Sequence, residues 1–199
     1  PYPDYDVLKK WDSPSFDTVT RGVIRRRLGA IPERRFFSES EFRTLGAVAA
    51  RLTAQNHGAE TVPIAPWIDA DLFERRGAGF RHEDLPPDRE LWRVALAGID
   101  AQGRHHHRRA FADLPAADQD AVLRAVQSGQ VAAGSFDGLS SPLVFGAILG
   151  AVVGVYYAHP AAWSEIGFGG PASPRSYVRI GLDERDPWEA QLSPRQRQP

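Results

Sequence analysis

Apolar residues recur at a helical spacing through the middle of the chain, and this pattern predicts about five α-helices. In the first, over residues 38–55, Ser38 and Glu41 can form a capping box, and Phe42 and Leu45 begin the apolar stripe. The other four are predicted at residues 66–75, at residues 89–102 with an extension through the histidines to Phe111 left open, at residues 115–128 and at residues 143–157. Since β-like stretches are short and rare, we expect a single compact all-α domain.

The fifth predicted helix is the most hydrophobic stretch of the chain, Leu143–Tyr157. Gly146, Gly150 and Gly154 recur every four residues and therefore share one helix face. The helix would rise about 22 Å, less than the roughly 30 Å hydrocarbon core of a membrane, so no transmembrane segment is predicted. An interfacial or membrane segment is the alternative. We expect a core helix whose glycine face packs against a neighbouring helix, because each glycine costs about 1 kcal/mol relative to alanine.

Two segments without a regular apolar period flank the helices. The sequence predicts an extended N-terminal arm over residues 1–35, a helical domain over residues 36–158 and an irregular tail over residues 159–199. Arm and tail both carry aromatic rings among their prolines and glycines, which is typical of segments that lie on a preformed surface. For the arm, plain disorder is the alternative.

Composition narrows the possible classes of function. The chain has 199 residues, with 24 Lys and Arg against 25 Asp and Glu, so it lacks the positive charge typical of nucleic-acid binding. It contains no cysteine, which excludes disulfides, thiolate metal sites and a cysteine nucleophile. It contains no methionine, so we expect the translated start, and any signal peptide, upstream of Pro1. The triplet Arg25–Arg27 is not followed by an apolar core and is not interpreted as a twin-arginine signal.

Histidines are the most conspicuous polar candidates. His105, His106 and His107 would point about 100° apart on a helix, so we interpret them as a solvated or partner-facing basic patch, with a metal site as the alternative. His159 directly follows the predicted fifth helix, whose C-terminal dipole would favour its protonated form. It is either a structural turn residue or a residue beside a partner's active site.

The other candidate catalytic and cofactor-binding groups lack supporting motifs. No nucleophile or metal motif accompanies the paired carboxylates, which are Asp69 with Asp71, Glu83 with Asp84, and Asp118 with Asp120. Neither GxGxxG nor a phosphate-binding loop motif is present. The sequence therefore predicts no catalytic, cofactor-binding or metal-binding residue in this chain.

Five stretches, in this order, resemble the gluconate 2-dehydrogenase subunit 3 family. They are FFSESEFRTLGAVAARL, VPIAPWIDADL, GFRHEDLPPDRELWRVALAGID, the pattern of FADL followed four residues later by QD in residues 111–120, and YYAHPAAWSEIGFGGPASPRSYV. The resemblance extends over residues 36–180 and is most specific in the last stretch. The chain departs from the family in showing no twin-arginine signal and in having Ser176 where glycine is expected before tyrosine.

The resemblance implies a cofactor-free, gamma-type small subunit. Its partner would be a large FAD-containing subunit of the glucose–methanol–choline (GMC) oxidoreductase type, which oxidises a sugar or polyol hydroxyl and often passes electrons to a c-type cytochrome. The small subunit would assist the folding, stability and export of that partner. The resemblance thus implies a periplasmic or membrane-associated location through the complex, with a cytoplasmic location as the alternative.

The aromatic tail and arm supply the predicted partner interface. Its residues are Tyr156, Tyr157, His159, Trp163, Phe168, Tyr177, Trp188 and Trp11. Two other functions remain open, namely a stand-alone helical enzyme or metal-binding protein that uses His105–His107, and an interaction module for an unrelated partner.

Overall fold

The computed structural model describes residues 2, 4–55, 62–77, 79, 81–171 and 186–191. Over these residues the chain is all-α and contains no strand. The seven helices are α1 (Thr18–Gly29), α2 (Glu39–Leu52), α3 (Ile64–Phe73), α4 (Asp88–His107), α5 (Ala116–Ser128), α6 (Ser141–Tyr157) and α7 (Pro160–Ile166), and short 3₁₀-helices cover Val7–Lys10 and Phe111–Asp113. The predicted fold class is confirmed for the described part of the chain, but the predicted number of about five helices is wrong.

The two additional helices lie in the segments predicted to be an extended arm and an irregular tail. Helix α1 begins at Asp17, whose carboxylate accepts the Thr20 N–H at 2.7 Å. Its arginines hide the apolar period, which explains why the sequence pattern did not indicate it. Helix α7 has only seven residues, too few for a period, although it is capped by His159 and ended by Gly167 in the left-handed conformation.

The chain divides into two compact units. The central unit is Pro32–Val155, and the terminal unit combines Pro1–Ile31 with Tyr156–Pro199. Most of the predicted arm and the described part of the predicted tail therefore fall in one unit.

The central unit is organised around α2 and α4. Helix α2 packs against α3, α4 and α5, while α4 also packs against α5. Fully or almost fully buried apolar side chains fill the core, among them Leu45, Val48, Ala95, Leu96, Ile99, Phe111, Val126, Val144, Ile148 and Val152. Burial of each large side chain stabilises the fold by roughly 1.5–3 kcal/mol.

A buried carboxylate fixes the segment that leads into α2. Asp69 is fully buried in α3 and accepts backbone N–H groups of Arg35, Phe36 and Phe37 at 2.6–3.1 Å. Immediately afterwards, the predicted capping box forms between Ser38 and Glu41. Asp69 thus satisfies backbone donors that would otherwise be buried without partners, which is a structural role.

Helix α6 is oriented differently from the prediction. Its buried side chains include Val144, Phe145, Ile148 and Val152, whereas the glycine face, defined by Gly146, Gly150 and Gly154, is exposed. No described residue would lie within 4 Å of a Cβ added at any of these three glycines. The expected packing of the glycine face against a neighbouring helix is therefore wrong. Each glycine lies two positions beyond a buried valine or isoleucine, about 200° around the helix, and so faces away from the core.

Within the described residues, no single helix is long and apolar enough to cross a membrane. Helices α6 and α7 together reach the length and apolar composition of a membrane-spanning segment, but the chain bends by 87° between them.

Candidate functional site

The terminal unit has a small core that joins the two ends of the chain. Val7, Phe16 and Ile24 from the N-terminal segment pack with Trp163 from α7, and Trp163 is only 4% exposed. The Trp163 indole N–H donates to the Tyr157 carbonyl at 2.6 Å. The aromatic rings of arm and tail therefore form a core with each other, which accounts for much of their frequency in the sequence.

The end of α7 is a Schellman motif that fixes the position of Phe168. The Phe168 N–H donates to the Trp163 carbonyl at 2.8 Å, and the Gly167 N–H donates to the Ser164 carbonyl at 3.3 Å. The rings of Trp163 and Phe168 meet edge to face with centroids 5.9 Å apart. Gly167 has φ 71°, and a Cβ there would lie 2.7 Å from the ring of Tyr2. Only glycine fits this position without strain.

Three large apolar side chains of this region face outward. Tyr157 and Phe168 are each 46% exposed, and Ile166 is 45% exposed. We call these three residues the apolar rim. Tyr157 and Phe168 belong to the predicted interface set, whereas Ile166 does not. The sequence carries no distinct signal for Ile166, because the apolar contact of a Schellman motif joins Trp163 to Phe168 and does not involve the residue before the glycine.

Tyr156 is tied to α7 rather than free. Its hydroxyl donates to the Glu165 carboxylate at 2.5 Å, and its ring meets that of Tyr157 edge to face. Burial raises the pKa of the Tyr156 hydroxyl, and the hydrogen bond to Glu165 raises it further. Tyr156 therefore remains a neutral donor that links the end of α6 to α7.

His159 is the N-cap of α7. Its Nδ1 accepts the Ala161 N–H at 3.2 Å, which requires that nitrogen to be unprotonated. Burial lowers the pKa of His159 and the Arg27 guanidinium lowers it further, whereas a hydrogen bond to the Arg27 backbone raises it. The expectation that a helix dipole favours protonated His159 is therefore wrong. Desolvation and a neighbouring positive charge outweigh that dipole.

The remaining aromatic residues of the predicted set are less exposed. Trp11 is half-buried, with its ring edge to face with Phe16 and the Arg25 guanidinium 5.2 Å above it. Trp188 is also half-buried. Tyr177 lies outside the described residues. The described members of the set thus all belong to the terminal unit.

The histidine patch lies at the C-terminal end of α4. The rings of His105 and His106 meet edge to face, and His107 Nδ1 is 3.6 Å from a carboxylate oxygen of Asp118. In the part of the chain that the structure describes, no group of three or more His, Cys, Asp or Glu side chains could hold a metal ion.

Several of the candidate carboxylates are engaged in ion pairs. Asp120 accepts two hydrogen bonds from the Arg51 guanidinium at 2.7 and 2.9 Å, which lower the pKa of that carboxyl. Asp71 is paired with Arg76 at 2.7 Å. The first pair joins α2 to α5 and the second lies at the end of α3, so both carboxylates have structural partners. Solvent-accessible ion pairs of this kind contribute at most about 1 kcal/mol.

Comparison with known proteins identifies a family. No curated protein and no solved structure matches the chain. Residues 39–170 match the protein family described as Gluconate 2-dehydrogenase subunit 3. The matched range starts at the first residue of α2 and continues past α7, so it includes all three residues of the apolar rim. Because the match covers more than half of the sequence, the chain belongs to the gluconate 2-dehydrogenase subunit 3 family.

Proposed function

We propose that this chain is a non-catalytic small subunit that binds and stabilises a large FAD-containing dehydrogenase subunit of the GMC type. The observation that carries the proposal is the apolar rim, Tyr157, Ile166 and Phe168, exposed within the region that matches the family. Burying apolar surface of this kind against a partner contributes about 25 cal/mol per Å². Aromatic residues fixed in position lose little conformational freedom when they bind, which suits them to anchor an interface.

The exposed face of α6 gives separate support. Helix α6 contains no charged residue, so the glycine face presents neither charges nor bulky side chains to solvent. A surface helix ordinarily carries polar residues on its outer side. We propose that an apolar helix of the large subunit covers the glycine face in the complex, because glycines allow two helix backbones to approach closely.

In this proposal the chemistry belongs to the partner. The large subunit would hold FAD and oxidise a sugar or polyol hydroxyl, and a c-type cytochrome would accept the electrons. The role of this chain follows from its surfaces: it removes apolar area of the large subunit from water and thereby stabilises the folded partner.

The proposal is tested by co-purification from the native source. We expect the tagged wild-type chain to retain a protein that carries FAD, identified by mass spectrometry and by its released cofactor. Replacing Tyr157 and Phe168 with serine should reduce the amount retained at least tenfold, because both anchors lose their apolar area. Val19→Ser is the matched control, since Val19 is 74% exposed in the same unit but lies outside the family match.

Circular dichroism and urea unfolding would show that each variant is folded. Retention of the flavoprotein by the Tyr157 and Phe168 variant at the wild-type level would contradict an interface at the apolar rim. Absence of any flavoprotein partner of the wild-type chain would contradict the proposed function itself.

A further inference from the structure

The start of α7 depends on a single titratable acceptor. His159 Nδ1 accepts the Ala161 N–H, and Pro160 occupies the first helical position. A protonated imidazole has no acceptor nitrogen, so protonation of His159 removes this capping bond. Loss of a capping acceptor weakens a helix end by about 1 kcal/mol, and α7 has only seven residues over which to offset the loss.

The charged groups around His159 do not stabilise a proton on its ring. Arg27 from α1 donates to the Ala158 carbonyl at 2.6 Å and brings a positive charge beside the imidazole. Glu165, the acidic residue of α7, is occupied by the Tyr156 hydroxyl. The 3₁₀-helix that packs against α7 carries Lys10, whose charge interacts with Glu189 and Asp186. Protonation of His159 would therefore leave α7 without its cap and place a second positive charge close to Arg27.

Helix α7 connects this cap to the apolar rim. The Ser164 hydroxyl accepts the Val7 N–H at 3.1 Å, and Trp163 sits in the core of the terminal unit. Ile166 and Phe168 follow at the other end of the same short helix. The cap and these two residues therefore lie about two turns apart on the same short helix.

We propose that neutral His159 is an acid-sensitive latch that holds α7, and that its protonation releases the helix end bearing Ile166 and Phe168 and weakens attachment of the large subunit. The second part of this inference rests on the proposed function, whereas the latch itself concerns this chain alone. The pKa of His159 lies below its ordinary value of 6.5. The stabilisation by the neutral ring is thus complete above that value and is lost as the pH falls through the lower pKa of the folded state.

Amide hydrogen exchange of the full chain tests the latch. Exchange is measured at about pH 7.5 and about pH 5.5, which lie on either side of the ordinary histidine pKa. The rates are corrected for intrinsic exchange at each pH. We expect residues 161–168 of the wild type to exchange about fivefold faster at the lower pH, the factor that corresponds to one capping hydrogen bond. His159→Asn supplies a capping oxygen that does not titrate, so its α7 should show no such change. Helix α2 serves as the internal control.

An equal response of α7 in the wild type and in His159→Asn would overturn the latch, as would no response in the wild type. If the variant does not fold, NMR titration of the wild-type ring decides. The midpoint for His159 must then coincide with the midpoint for loss of α7 protection, and separate midpoints contradict the proposal.

Co-purification at both pH values tests the effect on the partner. We expect retention of the flavoprotein by the wild type to fall at the lower pH, by no more than about fivefold, and retention by His159→Asn to stay constant. Equal retention by both chains would overturn the regulatory part. Failure of both chains to retain a flavoprotein at about pH 7.5 would contradict the proposed function instead, while the exchange data decide the latch independently.

Discussion

Helices α4 and α6 both carry glycines in their interiors, yet these glycines have opposite surroundings. A Cβ added at Gly98 in α4 would lie 2.5 Å from the Phe136 ring and 2.7 Å from the Ser135 carbonyl oxygen. At Gly150 in α6, no described residue lies within 4 Å of such a Cβ. In α4 the missing side chain makes room for the chain's own loop. In α6 nothing in the described fold explains the cost of glycine.

The two helices differ in whether packing within the chain offsets the cost of their glycines. Each interior glycine costs about 1 kcal/mol relative to alanine. Close packing against Phe136 offsets that cost within the folded central unit. The cost at Gly146, Gly150 and Gly154 has no offset of this kind among the described residues, which agrees with our proposal that a partner helix covers the glycine face.

The largest effect on folding is expected for Gly98→Ala. The new methyl group would overlap Phe136 and the backbone at Ser135, so the loop must shift. We expect the free energy of unfolding to fall by about 1–3 kcal/mol, as is typical of overpacking. Urea unfolding of the isolated chain measures the change. An unchanged midpoint would show that the loop yields easily and that the close approach to α4 contributes little.

The next largest effect concerns association rather than folding. Gly150→Leu places a branched side chain on the glycine face, where a partner backbone would otherwise approach. We expect at least tenfold weaker retention of the flavoprotein, equivalent to about 1.4 kcal/mol, with no loss of stability of the isolated chain. Quantitative co-purification and urea unfolding measure the two effects.

Gly46→Leu in α2 is the matched control for that variant. Gly46 also lies inside a helix of the central unit, and no described residue lies within 4 Å of an added Cβ. Its leucine variant should retain the flavoprotein as the wild type does. Equal weakening by both leucine substitutions would contradict a specific role of the glycine face.

A smaller change is expected for Gly103→Ala. Its Cβ would lie 3.0 Å from the Phe111 nitrogen and 3.2 Å from the Arg109 carbonyl oxygen. Because these neighbours are backbone atoms, they yield less readily than a side-chain tip, but a shift of a few tenths of an ångström would suffice. We expect a net loss of about 1 kcal/mol after the helix-propensity gain of alanine. An increase in the free energy of unfolding would show that Gly103, like the glycines of α6, has room for a side chain.

Local signals in the sequence predicted much of the central unit. The capping box at Ser38 and Glu41 and the stop at Gly129 fixed the ends of α2 and α5, because capping depends only on neighbouring residues. The direction in which α6 faces could not be predicted in the same way. Both sides of α6 are apolar, so periodicity shows which residues share a face but not which face is buried.

The candidate site was predictable only in part. Tyr157 and Phe168 were in the predicted interface set because aromatic residues near a helix end suggest an anchor. The burial of Trp163 depends on Val7 and Phe16, which come from the other end of the chain. The pKa of His159 is lowered first by burial and then by Arg27, which is more than a hundred residues away in sequence. Contacts of this kind leave no local pattern.

The smallest effect is expected for Gly150→Ala, and its sign is opposite to that of Gly98→Ala. A methyl group at Gly150 would meet no described residue, while alanine restricts the unfolded chain and favours the helix. We therefore expect the free energy of unfolding of the isolated chain to rise by about 0.5–1 kcal/mol, measured by urea unfolding beside Gly98→Ala. A fall of similar size would mean that the glycine face is already covered by this chain, and the contrast between α4 and α6 would then disappear.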